Sequence, residues 1–294
     1  MYKLLTAICL FIAPVIYSQT TAKPKIVYGI CTKESLQASP FAEWFKPGYE
    51  DYTPNENILA SLKKVNMNDI SIQVFFGSWC GDSKREVPRF LKLVDAISFP
   101  ATKLSLIGLG GSDSLYKQSP QQEEAGKGIF RVPTFIIYKK GVEIGWVNEF
   151  PVYSLEKDLL QILQSQAYIP NYRSFSFIQK WMTDGTLKDE NITSRSLAGQ
   201  LETVVKNENE LNSLGYLLIK QDKKREALQI FMINYYLFPQ SANVLSSLGE
   251  GYYENGEYER AVSFFERSLE LNKEPAMVKT ILPLLYKAKE KAGK

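Results

Sequence analysis

The chain has 294 residues, 45% of them hydrophobic and 23% charged, with a net charge of +3 and no histidine. That length allows one or two domains with sizeable cores, and the scattered basic residues give no electrostatic footprint for nucleic acid. Without histidine there is no Ser-His-Asp or Cys-His pair and no His-ligated zinc site, so cysteine leads the candidates for chemistry near neutral pH.

At the start, Lys3 precedes the apolar run Leu4–Tyr17, which is too short for a comfortable membrane span and contains Pro14. Residues 1–18 are expected to be a signal peptide cleaved after Ser18, the alternative being a short membrane anchor. Cleavage removes Cys9 and leaves Cys31 and Cys80 in an exported protein, periplasmic or secreted, with no membrane segment in its mature form. Residues 19–56, with Pro24, Pro40, Pro47 and Pro54, read as an extended N-terminal arm with a first strand over 25–30. Ile58, Leu59, Leu62 and Val65 have helical spacing, and Ile70–Phe76 is a β-rich run that ends at Gly77. A helix follows over 84–97, with Pro88 expected to kink it, and Leu104–Leu109 is a second buried strand. Residues 110–128 form a polar insertion in which Glu123 and Glu124 are read as solvated. Runs at 134–138 and 142–147 flank Gly141 as a hairpin, and Ser154–Gln164 is an amphipathic helix. This order of strands and helices is that of an α/β layer domain over 57–166.

Two motifs sit at the turns of that pattern. Phe76-Gly77-Ser78-Trp79-Cys80-Gly81-Asp82-Ser83 lies where a strand meets a helix, and Arg131-Val132-Pro133-Thr134 opens the hairpin. Together they resemble the thioredoxin family, whose signature is Trp-Cys-x-x-Cys with a cis-proline before the hairpin. The resemblance covers roughly residues 26–165 and implies a thioredoxin-like fold, a central mixed sheet flanked by helices. It implies that Cys80 is the nucleophile, that Trp79, Gly81 and Asp82 border the substrate, and that Val132 and cis-Pro133 form the platform on which it lies. A cysteine at the first turn of a helix meets unpaired N–H groups and the positive end of the dipole, which favours the thiolate; Lys84 and Arg85 add to this and Asp82 opposes it.

The chain departs from the family twice. Ser83 replaces the second cysteine, giving a monothiol Cys-x-x-Ser motif, and Val74 stands where the family has a buried carboxylate. Ser83 is expected to donate a hydrogen bond to the Cys80 sulfur. Resolution of a mixed disulfide then needs an outside thiol or Cys31, which as a lone cysteine is alternatively a small apolar residue.

Past a linker at 167–207 that carries flanking helices, a 34-residue repeat appears: Leu211, Leu214-Gly215, Ala227 and Phe231 recur as Leu245, Leu248-Gly249, Ala261 and Phe265. The pattern resembles the tetratricopeptide repeat, with copies at 208–241 and 242–275 and a capping helix at 276–294. Such repeats imply a peptide-holding groove, here lined by Asn209, Asn212, Tyr216, Asn243, Ser246, Glu250 and Tyr253; alternatively the repeats dock onto the α/β domain or self-associate. The combined expectation is an exported thiol–disulfide exchange protein acting on protein or small-molecule thiols and disulfides, with no cofactor or metal and a protein partner on its repeats. The competing reading is a redox-silent scaffold.

Overall fold

The computed structural model describes residues 25–293, so the expected signal peptide lies outside the described residues. Strands β1 (Gly29–Cys31), β2 (Ile70–Phe76), β3 (Leu104–Gly108), β4 (Thr134–Lys139) and β5 (Val142–Asn148) form one mixed sheet in the order β1-β3-β2-β4-β5. Only β2 and β3 run parallel, and the helix between them, α4 (Gly81–Ala96), is the crossover that a parallel pair requires. Lys140 and Gly141 close the β4–β5 hairpin with φ of 53° and 79°, a two-residue turn with both central residues left-handed.

Strand alternation sends β2 side chains to two different cores. Ile72, Val74 and Phe76 pack with Val87, Phe90, Leu91 and Val94 of α4 and with Leu155, Leu159 and Ile162 of α5 (Leu155–Leu163). On the opposite face Phe75 joins Ile107, Leu109, Ile129, Val132 and Ile136 in a smaller cluster, against which Trp79 and Cys80 pack. Helix α4 continues through Pro88, and it starts at Gly81, earlier than its apolar periodicity predicts. The apolar stripe begins only where the helix leaves the turn for the core, so periodicity misses its first turn.

The N-terminal arm is corrected by the structure. Residues 33–50 form α1 (Lys33–Leu36) and α2 (Ala42–Glu50), and α3 (Glu56–Leu62) follows. Leu36, Phe41 and Phe45 are buried in the core that α4 and α5 share. Polar ties hold the segment as well: Lys33 Nζ and Tyr49 Oη donate to Asp95 at 2.7 and 2.5 Å, and the Asn55 N–H donates to Glu156 at 3.0 Å. Four prolines suggested extended chain, but burial of the large apolar side chains outweighs that local signal.

The remaining helices form an α-helical module: α6 (Ser174–Thr183), α7 (Ser194–Leu201), α8 (Glu208–Lys220), α9 (Lys224–Leu237), α10 (Ala242–Glu254), α11 (Tyr258–Leu271) and α12 (Pro275–Lys291). The two repeats fall on the pairs α8–α9 and α10–α11. Phe231 of α9 seats its ring over Gly215 of its own pair, while a Cβ at Gly251 of the next pair would stand only 2.8 Å from that ring. One phenyl group therefore locks neighbouring repeats, and a residue larger than glycine has no room at either contact.

Phe45→Ala is expected to lower the unfolding free energy by about 3–5 kcal/mol, the cost of a buried phenylalanine cavity. Urea denaturation monitored by circular dichroism measures it. A loss below about 0.5 kcal/mol, typical of an exposed side chain, would restore the detached arm.

Candidate functional site

Strand β2 ends at Phe76, and the chain turns so that the Cys80 N–H donates to the Gly77 carbonyl at 2.9 Å. Cys80 is then the N-cap residue of α4, with extended φ and ψ of −89° and 131°, and its carbonyl accepts the Lys84 N–H at 3.0 Å. The sulfur is half-buried, and its thiol points to the Val132 carbonyl at 3.4 Å. The Val132–Pro133 peptide bond is cis. Cys80 and the Val132-Pro133 pair, far apart in the chain, are thus brought into contact.

Trp79 occupies a slot between two glycines. A Cβ at Gly77 or at Gly111 would come within 2.6 Å of its indole. Its Nε1–H donates to the Leu109 carbonyl at 3.0 Å, and the Tyr116 ring covers it at 5.2 Å between centroids. Gly81 is exposed and a Cβ there would meet nothing within 4 Å, whereas Val132 and Pro133 are buried. Solvent therefore reaches Trp79, Cys80 and Gly81.

Three expected roles change. Ser83 is fully buried, and its Oγ accepts the Gly77 N–H at 3.1 Å. No hydrogen bond joins it to Cys80 among the described residues, because the hydroxyl points back to brace the turn. Arg85 does not serve the sulfur either: its guanidinium pairs with Asp82 at 2.8 Å and with buried Glu86 at 2.6 Å. Cys31 is free and pairs through its backbone with Leu106, packing in the core beneath α4 while Cys80 packs in the other cluster. Burial pushes the Cys31 thiol up to about 11, so it is a poor resolving thiol as well as a misplaced one.

Charge reaches the Cys80 site from elements that the motifs do not mark. Lys117 lies in the polar insertion, yet it is only 8% exposed, and its Nζ donates to the Phe130 carbonyl at 2.6 Å. Burial, with help from the neighbouring Arg131 guanidinium, pushes Lys117 down to about 8, while Cys80 and Glu149 pull it partly back. Arg131 pairs with Glu149 at 3.1 Å and donates to Ser213 of α8 at 2.6 Å. Burial raises the Glu149 carboxyl against the opposing pull of Arg131, and Tyr172 donates to the same carboxylate. The Lys220 ammonium of α8 stands 4.6 Å from the Tyr116 ring centre. Helix α8 therefore forms a wall of the Cys80 site. Lys117, Tyr116 and Glu149 were illegible because a lysine in a polar stretch signals nothing about burial.

The repeat groove is also revised. Asn212 and Ser246 are buried, and Asn212 Oδ1 accepts from Asn234 of α9 at 2.8 Å. The Tyr216 hydroxyl bonds Glu250 at 2.7 Å and Ser247 at 3.1 Å, and Asn243 donates to Glu208 at 2.9 Å. These side chains are spent on holding α8 to α9 and α10, since polar groups at a helix interface must find partners there. Asn209 remains exposed, and half-buried Tyr253 lies against Tyr258. Among the described residues no cluster of three His, Cys, Asp or Glu could hold a metal, and no helix is long and apolar enough to cross a membrane.

Comparison with known families matches residues 242–275 to the tetratricopeptide repeat. No thioredoxin-family match is found, and a search of curated proteins finds no match to this chain.

Lys117 also makes a stability statement. Its folded value, about 8, lies below its ordinary 10.5, so between those values the unfolded chain binds the proton more tightly and stability rises with pH. Relative to Lys117→Met, the wild-type chain should gain on the order of 2–3 kcal/mol between those two pH values. Paired urea titrations at both pH values test this, and parallel curves for the two proteins would refute the buried charge.

Proposed function

We propose that this protein is an exported monothiol exchange protein, built on a thioredoxin-like domain, in which Cys80 alone attacks disulfides. The observation that carries this reading is the position of Cys80: it caps the N-terminus of α4, half-exposed, with its sulfur 3.4 Å from the Val132 carbonyl. The unpaired backbone N–H groups of the first turn of α4 and the positive helix end favour negative charge there. The order of strands about the α4 crossover, and the proline that opens the hairpin beside the sulfur, support the same reading. Export rests on the apolar segment within residues 1–18.

The chemistry is an exchange without net oxidation. The Cys80 thiolate attacks one sulfur of a disulfide RSSR′, forms the mixed disulfide Cys80–S–S–R, and expels R′S⁻. A second thiol R″SH, as its thiolate, then attacks the R sulfur, releasing RSSR″ and regenerating the Cys80 thiolate. Ser83 cannot perform the second step, and Cys31 lies in another core, so R″SH comes from the substrate or from a small thiol. The matched repeat supports a protein partner on the helical module, which would deliver a disulfide to the neighbouring sulfur.

That same repeat favours a second reading, a binding scaffold whose Cys80 is silent. Mass spectrometry after incubation with an oxidised small thiol separates the two. The exchange reading expects one adduct, on Cys80, that persists until a thiol is added and is absent in Cys80→Ser. Unmodified Cys80 after prolonged incubation would leave the scaffold.

A further inference from the structure

We propose that Lys117 is the buried electrostatic partner of Cys80: its ammonium balances the thiolate and sheds its proton when a mixed disulfide consumes that charge. This rests on the exchange reading above, and it assigns a role to a residue of the polar insertion that lies outside the Cys-x-x-Ser motif.

The geometry ties the two groups to one short stretch of chain. Lys117 Nζ donates to the carbonyl of Phe130, and the Cys80 thiol donates to the carbonyl of Val132, two residues on. On the other side, Tyr116 stacks on Trp79, the residue before Cys80, and the Lys117 ammonium stands 5.2 Å from the Tyr116 ring centre. Lys117 is thereby held between the Phe130 carbonyl and the Tyr116 ring, in a left-handed backbone conformation with φ of 56°. A non-glycine residue held there indicates that the surrounding packing fixes it.

Among the described residues the nearby carboxylates are held by other partners, which leaves the Cys80 sulfur as the counterpart of Lys117. A buried ammonium is costly unless a negative charge lies near it. Glu149 faces the same space, but its carboxylate is held by Arg131 and Tyr172. Asp82, on the Cys80 helix, is paired with Arg85. Arg131 and Lys220 are positive and push against Lys117, while burial keeps the Tyr116 phenol protonated. What draws the Lys117 proton in, besides the shared Glu149, is the Cys80 sulfur.

The proton ledger closes on the exchange cycle. In the reactive form of the site a Cys80 thiolate stands with the Lys117 ammonium. Attack on RSSR′ turns the sulfur neutral in Cys80–S–S–R, so Lys117 loses its counter-charge and its proton passes to the departing R′S⁻, giving R′SH and a neutral amine. When R″SH arrives, its proton returns to Lys117, its sulfur takes the R group, and Cys80 leaves as the thiolate again. No oxidant or reductant beyond the exchanging disulfide and thiol is consumed.

Two measurements on the full mature chain test this. In the first, iodoacetamide alkylation of Cys80 is followed by peptide mass spectrometry across a pH series, for the wild type and for Lys117→Met. Loss of the ammonium is expected to slow Cys80 alkylation near pH 7 by about three- to tenfold and to move the rate–pH curve to higher pH. In the second, the unmutated protein is reductively methylated with ¹³C-formaldehyde, and Lys117 is titrated by NMR before and after methyl methanethiosulfonate caps Cys80. Capping is expected to lower the Lys117 midpoint. A reactive Cys80 whose curve is unchanged in a folded Lys117→Met protein, or a Lys117 midpoint indifferent to capping, overturns the pairing and leaves the exchange reading standing. A wild-type Cys80 inert at every pH removes both.

Discussion

The segment Ile129–Val132 belongs to two cores at once, and the site depends on that sharing. Ile129 and Val132 pack under the sheet with Phe75 and Ile136, while Phe130 turns the other way into the helical module, edge-on to Phe175 at 5.1 Å. Between them, Arg131 spans the boundary to Glu149 on one side and Ser213 on the other. The backbone of the same segment offers its carbonyls to Lys117 and to Cys80. A side-chain shift in either core therefore moves the acceptors that fix the cysteine and the lysine, because close-packed interiors transmit displacement instead of absorbing it.

That arrangement changes what the helical module is. A tethered recruitment arm would leave the α/β domain complete by itself. Here α8 supplies Ser213 and Lys220 to the wall of the sulfur site, and Gln179 of α6 donates to the Gly126 carbonyl in the polar insertion. Most of the side chains that a peptide-holding groove would use are already committed to helix–helix contacts.

A protein without histidine must set the reactivity of a nucleophile with fixed charges and dipoles. Of the motif cations, Arg85 is paired with Asp82 and Glu86, so the helix terminus and the lysine of the insertion carry the argument for charge at the sulfur. Burial gives that lysine its leverage: a charge in a low-dielectric slot acts over a longer distance than one in water. The same physics disqualifies Cys31, which has burial without a compensating charge.

The sequence alone determined the parts whose signal is local. Alternation of apolar residues bounded β2 at Ile70 and Phe76, and a glycine after two lysines marked the hairpin. The recurrence of Leu-Gly and Ala-x-x-x-Phe set the repeat register, because steric fit between a phenyl ring and a glycine leaves few alternatives. It also placed Cys80 between a strand and a helix. Tertiary structure decided what depends on distant partners: whether the proline-rich start packs or trails, whether Lys117 meets water or a carbonyl, which way Ser83 turns, and which core encloses Cys31. Burial is a property of everything that surrounds a residue, and a charged or proline-rich stretch carries no record of the apolar surfaces that will close over it.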